Sequence, residues 1–310
     1  MLHCGQSAEA CIHTVDLVIL HMQLSIAVGA LMFYPLDATL RIARAAGVDA
    51  VEIMLSNRLQ ADGGSSIAER ARRAGVTVAS AHAALSFRGE TLEEKTASDM
   101  VSIRTAAAIE GCSVLVLHTP LDWNGRTSTV QHWLDAVVEF RERLDPTLTL
   151  AIENRAQNWD GMPDQWLDDL HRLSSVAGEW GARVCLDLAH AASFGFDLAT
   201  SIDATSPALA NVHLSDACDR QLRGGALNGL YRDHLLPGNG HLALDDAISQ
   251  LSSSGYRGPL TLEFSPRSLA IWLPGVPQRR LRRAVSDVRA LVTAAEAASV
   301  PPITGRRQRI

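Results

Sequence analysis

The 310-residue chain predicts an α/β fold, a single (β/α)8 TIM barrel, on three observations. Short apolar runs rich in β-branched residues recur from Met22 onward, each followed by a polar loop and a helical stretch. The runs are nearly continuous in apolar residues, the mark of parallel strands covered on both faces. No Pro/Gly/Ser linker or change in composition divides the repeat, and about 250 residues suffice for one such barrel. The rival, a doubly wound open sheet, lacks its GxGxxG signature after the first run.

In order, the expected strands are 24–30, 50–55, 76–82, 114–119, 148–154, 183–189, 211–216 and 260–264. Asp37 is placed to cap a helix that stops at Gly47, and Ser65 or Ser66 to open one that stops at Gly75. Pro163 suits the first turn of a later helix, with Gly181 just past its end. Residues 1–21 carry no pattern and are expected as a disordered extension, 22–298 as the barrel and 299–310 as a flexible basic tail.

Composition narrows the function. Hydrophobic residues make up 47% and charged residues 20%, an ordinary globular balance, and the formal charge of -6 gives no general attraction to nucleic acid or to an anionic membrane. Five scattered cysteines (Cys4, Cys11, Cys112, Cys185, Cys218) form no CxxC pair, which points to a reducing, cytoplasmic setting. The apolar stretch 17–34 is interrupted by His21 and Gln23 and lacks the basic flank of a signal peptide. A homodimer is allowed by the sequence but not specified by it.

In such a barrel, chemistry collects where strands end. There the sequence places Glu52, His82 (ASAHAA), His118 (VLVLHTP), Glu153 (LAIENR), Asp187 and His190 (VCLDLAH), His213 and Asp216 (VHLSDA) and Glu263 (LTLEF), and a late loop adds His234 (RDHLLPGNG). One such residue alone is more often a structural hydrogen-bonding group; so many together, in apolar strands, are costly to bury unless a cation compensates them. Imidazole with carboxylate suits a divalent ion: Mn²⁺, Zn²⁺, Co²⁺, Fe²⁺ or Mg²⁺. The core set is Glu153, Asp187, His213 and Glu263, on four consecutive strands. His82, His118, His190 and His234 complete a second metal site or hold substrate oxygens. Glu52 either binds substrate or orients a histidine, and Asp216 is as easily a loop anchor as a ligand.

The strings VCLDLAHAASFGFD, VHLSDA, HLLPGNG and LTLEF resemble the xylose isomerase-like TIM barrels, sugar isomerases and epimerases together with the endonuclease IV enzymes, and the resemblance runs from Met22 to Ala297. It implies a divalent metal on Glu153, Asp187, His213 and Glu263. In the endonuclease IV branch it implies further metals on His82, His118, His190 and His234. That branch also has an Asp two residues before the position of His234, where this chain has Arg232; Asp233 is one place off, so its side chain is expected to point elsewhere.

Two reactions follow. The first is a metal-dependent isomerase or epimerase of a small sugar, polyol or keto acid, in carbohydrate metabolism. The cation polarises a carbonyl, and one of Glu153 and Glu263 takes the adjacent proton to give a cis-enediolate while the other returns it. His190 and either Arg220 or Arg223 would hold substrate hydroxyls. Related dehydratases begin with the same proton abstraction. The alternative is an endonuclease IV-like abasic-site phosphodiesterase. The acidic net charge and the loops SNRLQADGGSS and ALSFRGE, poor in the basic and aromatic residues that grip DNA, weigh against it. The run QRRLRR and the tail GRRQR read as solvated charge. Trp133, Trp166, Trp180 and Trp272 read as packing groups, while Trp123 and Trp159 are placed to wall a sugar pocket. The long segment 219–237 is a candidate substrate loop.

Overall fold

The structure is a computed structural model that describes residues 21–85, 90–120, 127–156, 169–220, 222 and 225–299. Eight strands form a closed barrel: β1 (Gln23–Ala27), β2 (Ala50–Met54), β3 (Thr77–His82), β4 (Val114–Leu117), β5 (Thr149–Glu153), β6 (Arg183–Asp187), β7 (Leu209–Leu214) and β8 (Pro259–Leu262). Each runs parallel to the next, and β8 pairs with β1 to close the ring.

Helices α1 (Leu36–Ala46), α2 (Asn57–Asp62), α3 (Gly64–Ala74), α4 (Leu92–Ala107), α5 (Thr127–Leu144) and α6 (Leu170–Glu179) follow the first five strands. After β6 come α7 (Leu188–Ser193) and α8 (Leu198–Thr205), after β7 α9 (Gly225–Tyr231) and α10 (Leu244–Ser253), and after β8 α11 (Pro266–Leu269) and α12 (Val276–Ser299). No described helix is long and apolar enough to cross a membrane. Outward strand residues such as Val51, Ile53, Leu150, Ile152, Val212 and Leu214 join the helices in one large core, while Val114, Val116, Ala151 and Cys185 form a small separate cluster. Strand alternation explains the division: side chains two apart share a face, so Ala151 and Glu153, or Cys185 and Asp187, point the same way.

The ends of several elements differ from the sequence expectation for local reasons. β1 stops at Ala27 because Val28–Leu31 tightens into a 3₁₀ turn. β6 stops at Asp187, not at 189, because the Asp187 carboxylate accepts the His190 amide (2.7 Å) and caps α7. Pro35, not Asp37, occupies the N-cap of α1; Asp37 lies in the first turn, where it pairs with Arg70. α3 opens at Gly64, ahead of both expected serines. Gly47 and Gly75 end their helices in the left-handed conformation as expected (φ 97° and 74°). Pro163 and the segments 1–20 and 300–310 lie outside the described residues.

Asp216 organises the segment that returns from β7. Its backbone pairs with Leu235 in an antiparallel bridge, and its carboxylate accepts the amides of Ala217 (2.8 Å), Gly238 (3.0 Å), Gly240 (2.8 Å) and Leu242 (3.0 Å). The loop-anchor role is therefore the one the structure shows. A side chain at Gly240 would stand 2.1 Å from the Ala217 carbonyl oxygen, which explains the glycine there. Gly64 is likewise pressed on α4, since a Cβ would meet the Thr105 carbonyl oxygen at 2.2 Å.

Gly64→Ala is expected to lower stability by about 1–3 kcal/mol through overpacking. Gly178→Ala, in α6 with open space around it, should raise stability by about 0.5–1 kcal/mol; urea unfolding of both variants checks the contrast. Asp216→Ala should leave several amides without an acceptor, at about 1–3 kcal/mol each. Hydrogen exchange at Gly238, Gly240 and Leu242 should then quicken by at least roughly tenfold, and unchanged exchange would count against the anchor.

Candidate active site at the mouth of the barrel

Six strands deliver ionisable side chains to one end of the barrel: His82 ends β3, His118 follows β4, Glu153 ends β5, Asp187 ends β6, His213 lies in β7 and Glu263 follows β8. The loop after β7 adds His234, whose backbone is held at φ 54° and whose carbonyl accepts the Ser265 amide (2.9 Å).

The core set meets at His213, which is fully buried. Its Nδ1 lies 2.7 Å from Glu263 Oε2, 3.3 Å from Glu153 Oε1 and 3.9 Å from Asp187 Oδ2. Its Nε2 faces Glu52 Oε1 at 3.1 Å. Glu52 sits deeper in β2, not at the rim, and is itself fixed by Ser80 Oγ (2.8 Å) and Asn211 Nδ2 (2.7 Å), while Thr261 donates to Asn211 Oδ1 (3.0 Å). This layer orients the ring: with Nε2 held at Glu52, Nδ1 is left facing three carboxylates. Glu52 contacts His213, Ser80 and Asn211.

Two further trios adjoin the core set. His82 Nε2 (3.1 Å) and His118 Nε2 (2.7 Å) both meet Glu153 Oε2, and His82 Nδ1 donates to the Ala83 carbonyl (2.8 Å). His190 Nδ1 donates to the Asn154 carbonyl (2.9 Å), which turns its Nε2 toward His234 Nε2 at 3.3 Å, and His234 Nδ1 stands 3.9 Å from Asp187 Oδ2. Asn154 joins the strands behind this trio: it accepts the Asp187 amide (2.7 Å) and donates to the Asp187 carbonyl (3.0 Å). Asn154 carries no functional mark in the sequence, nor do Ser80, Asn211 and Thr261. Their inward strand positions, two residues before His82, His213 and Glu263, were the available signal.

The electrostatics are those of a dry, crowded mouth. Burial raises the Asp187 carboxyl above the ordinary carboxylate value, more than the His190 and His234 imidazoles lower it. Burial raises Glu153 as well, but His118 and His213 outweigh it and hold that carboxyl well below its usual range. Against the same burial effect, His213 holds Glu263 low. Burial lowers His82, yet its hydrogen bond and charge pairing with Glu153 take it up to about 9, whereas burial prevails at His118 and takes it down to about 4.

Three cation-sized groupings result: Glu153, Asp187, His213 and Glu263; Asp187, His190 and His234; and His82, His118 and Glu153. In each, one ligand atom per residue lies within 4.8 Å of the others. The donor chemistry fits a divalent ion. Asp187 Oδ2, His213 Nδ1 and Glu263 Oε2 are buried without a well-formed hydrogen bond, which is costly unless something else satisfies them.

The groupings open into a cavity of about 340 Å³, reached by Glu153, Glu263, His82, His118, His190 and His234, with Met32, Met54, Leu85 and Phe264 on its apolar side. Asp233 also lines it, but its carboxylate is taken by Arg232 in a two-point contact (2.7 and 2.9 Å). Arg220, expected to hold substrate, lies instead along a different cleft. Arg223, Trp123, Trp159 and Trp166 fall outside the described residues. Trp133 is buried, with its indole donating to Asp99 (2.8 Å), but Trp272 is 63% exposed and is not the packing group expected.

Comparison with known proteins agrees with this architecture. An uncharacterized protein of Mycobacterium tuberculosis is 26% identical over 259 residues, which cover 76% of this chain and 86% of that protein. Among solved structures, a D-tagatose 3-epimerase-like protein superposes with a TM-score of 0.68 at 16% identity, covering 90% of this chain and 100% of the other. An L-ribulose 3-epimerase gives 0.68 at 15%, covering 93% and 100%. The apo form of 3-keto-D-glucoside 4-epimerase from E. coli gives 0.67 at 16%, covering 87% and 99%. At these identities the structural likeness establishes the fold. Residues 40–293 match the family described as xylose isomerase-like TIM barrel, and the chain belongs to that family.

Proposed function

We propose that the chain is a divalent-metal-dependent isomerase or epimerase of a small sugar, polyol or keto acid. One observation carries the reading: His213 Nδ1, turned inward by the Nε2–Glu52 contact, faces three carboxylates in a buried site. Like charges so close are sustained by a cation held on Glu153, Asp187, His213 and Glu263. When bound, such an ion supplies Lewis-acid polarisation of a substrate carbonyl and offsets the charge left when a neighbouring proton departs.

The chain's own residues supply the rest. Glu153 and Glu263 both reach the cavity. One carboxylate removes the proton from the carbon beside the carbonyl, leaving an enediolate, and the other protonates the next carbon or the opposite face. Glu263, the less buried of the two, is the more open to substrate. His82 and His118 share Glu153 Oε2 and so hold that carboxylate in one orientation. The apolar side formed by Met32, Met54, Leu85 and Phe264 excludes water from the deprotonated substrate. The cavity's size suits a small ligand, and the solved structures named above as epimerases support a sugar as that ligand.

A second reading, phosphodiester hydrolysis at abasic sites, draws support from the two additional trios, which offer places for further ions. The two-point contact between Arg232 and Asp233 weighs against it, because it occupies the acid nearest to that branch's extra ligand position.

Purified protein should carry at least one divalent ion per chain by elemental analysis. Asp187→Asn and His213→Asn should deplete it, and Glu52→Gln should weaken retention by about 10–100-fold; full occupancy in all three would refute the ligand set. Incubation with candidate ketoses in D₂O should place deuterium on the carbon beside the carbonyl, with Glu263→Gln losing at least roughly 10²-fold in rate. Cleavage of an abasic oligonucleotide with no exchange into any ketose would reverse the ranking of the two reactions.

A further inference from the structure

We propose that a second cleft, outside the catalytic cavity, binds a nucleoside diphosphate. It lies between the segment after β7 and the segment after β8, has a volume of about 520 Å³, and shares no lining residue with the catalytic cavity. Three arginines line it from three different elements: Arg220 beyond β7, Arg267 on α11 and Arg280 on α12. Among the described residues no carboxylate lines it, and none of the three arginines forms an ion pair. In a chain of formal charge -6, three unopposed cations at one cleft form a local positive field that an anion would satisfy.

Two of the three are already positioned. Arg267 lies over the Tyr231 ring at 4.2 Å, and Arg280 donates through Nη1 to the Ser268 carbonyl, so less freedom is lost when they engage a ligand. Planar guanidinium forks match phosphate oxygens in pairs. Charge favours a diphosphate over a monophosphate: its roughly three negative charges at neutral pH, counting ionisation near pH 6, balance the three arginines. Trp272 supplies the other half of the specificity. Trp272 lines the same cleft and is 63% exposed, and the turn that carries it begins at Ala270, held in the left-handed conformation (φ 50°). An exposed indole beside a phosphate-binding group of arginines is a stacking surface for a base. The QRRLRR run thus contributes Arg280 to a site in addition to its solvated face.

The full-length protein is to be titrated calorimetrically with ADP and with inorganic pyrophosphate at constant ionic strength. Both should bind saturably at one site per chain, with ADP at least roughly tenfold tighter because its base stacks. Trp272→Ala should abolish the advantage of ADP and leave pyrophosphate binding intact. Arg220→Gln, on an exposed loop, and the double variant Arg220→Gln/Arg267→Gln should each weaken both ligands, the double variant by at least roughly tenfold. Absence of saturable binding, equal affinity for ADP and pyrophosphate, or unchanged affinity in the arginine variants would overturn the proposal. So would a single-stranded oligonucleotide that binds far more tightly than ADP, since that would make the cleft a strand-binding surface.

Discussion

The mouth of this barrel depends on one unfavourable arrangement made tolerable: carboxylates from β5, β6 and the end of β8 turned toward a single imidazole nitrogen, out of water. Glu153 and Asp187 are buried, and His213 Nδ1 stands within 3.9 Å of an oxygen from each of three acids. The fold imposes this proximity, because strands that close a ring must aim the last inward side chain of each at the same axis. Below it, the Thr261–Asn211–Glu52–Ser80 contacts hold His213 by its far nitrogen. The ring is thereby held with Nδ1 toward the three acids, where a freely rotating imidazole would not be.

The same view separates what the sequence disclosed from what it concealed. The barrel was legible because parallel strands covered on both faces leave near-continuous apolar runs, and the acids and histidines stood out by interrupting those runs at their ends. Glu52 was ambiguous from sequence because strand depth cannot be read without register; the β2–β3 pairing shifts just before it. Ser80, Asn211, Thr261 and Asn154 were silent because small polar residues in strands are unremarkable until their partners on other strands are known. Asp187 ends its strand two residues earlier than its apolar run because its side chain accepts the His190 amide and caps α7. Arg220, one of two arginines expected to hold substrate hydroxyls, lies along another cleft, a position that depends on the course of the loop after β7.

That loop links the two sites. Asp216 gathers the amides of Gly238, Gly240 and Leu242, and so fixes the path of a segment that sends Arg232, Asp233 and His234 inward and Tyr231 and Asn239 outward. α11 does the same on the other side, with Ser265 and Pro266 toward the catalytic cavity and Arg267 and Ser268 toward the arginine-lined cleft. The walls between the two spaces are thus only a few residues thick, and each helix end serves both.

The most direct measurement is an anomalous-scattering map from crystals grown with Mn²⁺. A peak bonded at roughly 2.0–2.3 Å to Glu153, Asp187, Glu263 and Nδ1 of His213, while Nε2 keeps its contact with Glu52, is the result expected for a divalent ion on these ligands. No peak among these four residues, or a His213 that has turned Nδ1 away from them, would contradict the account.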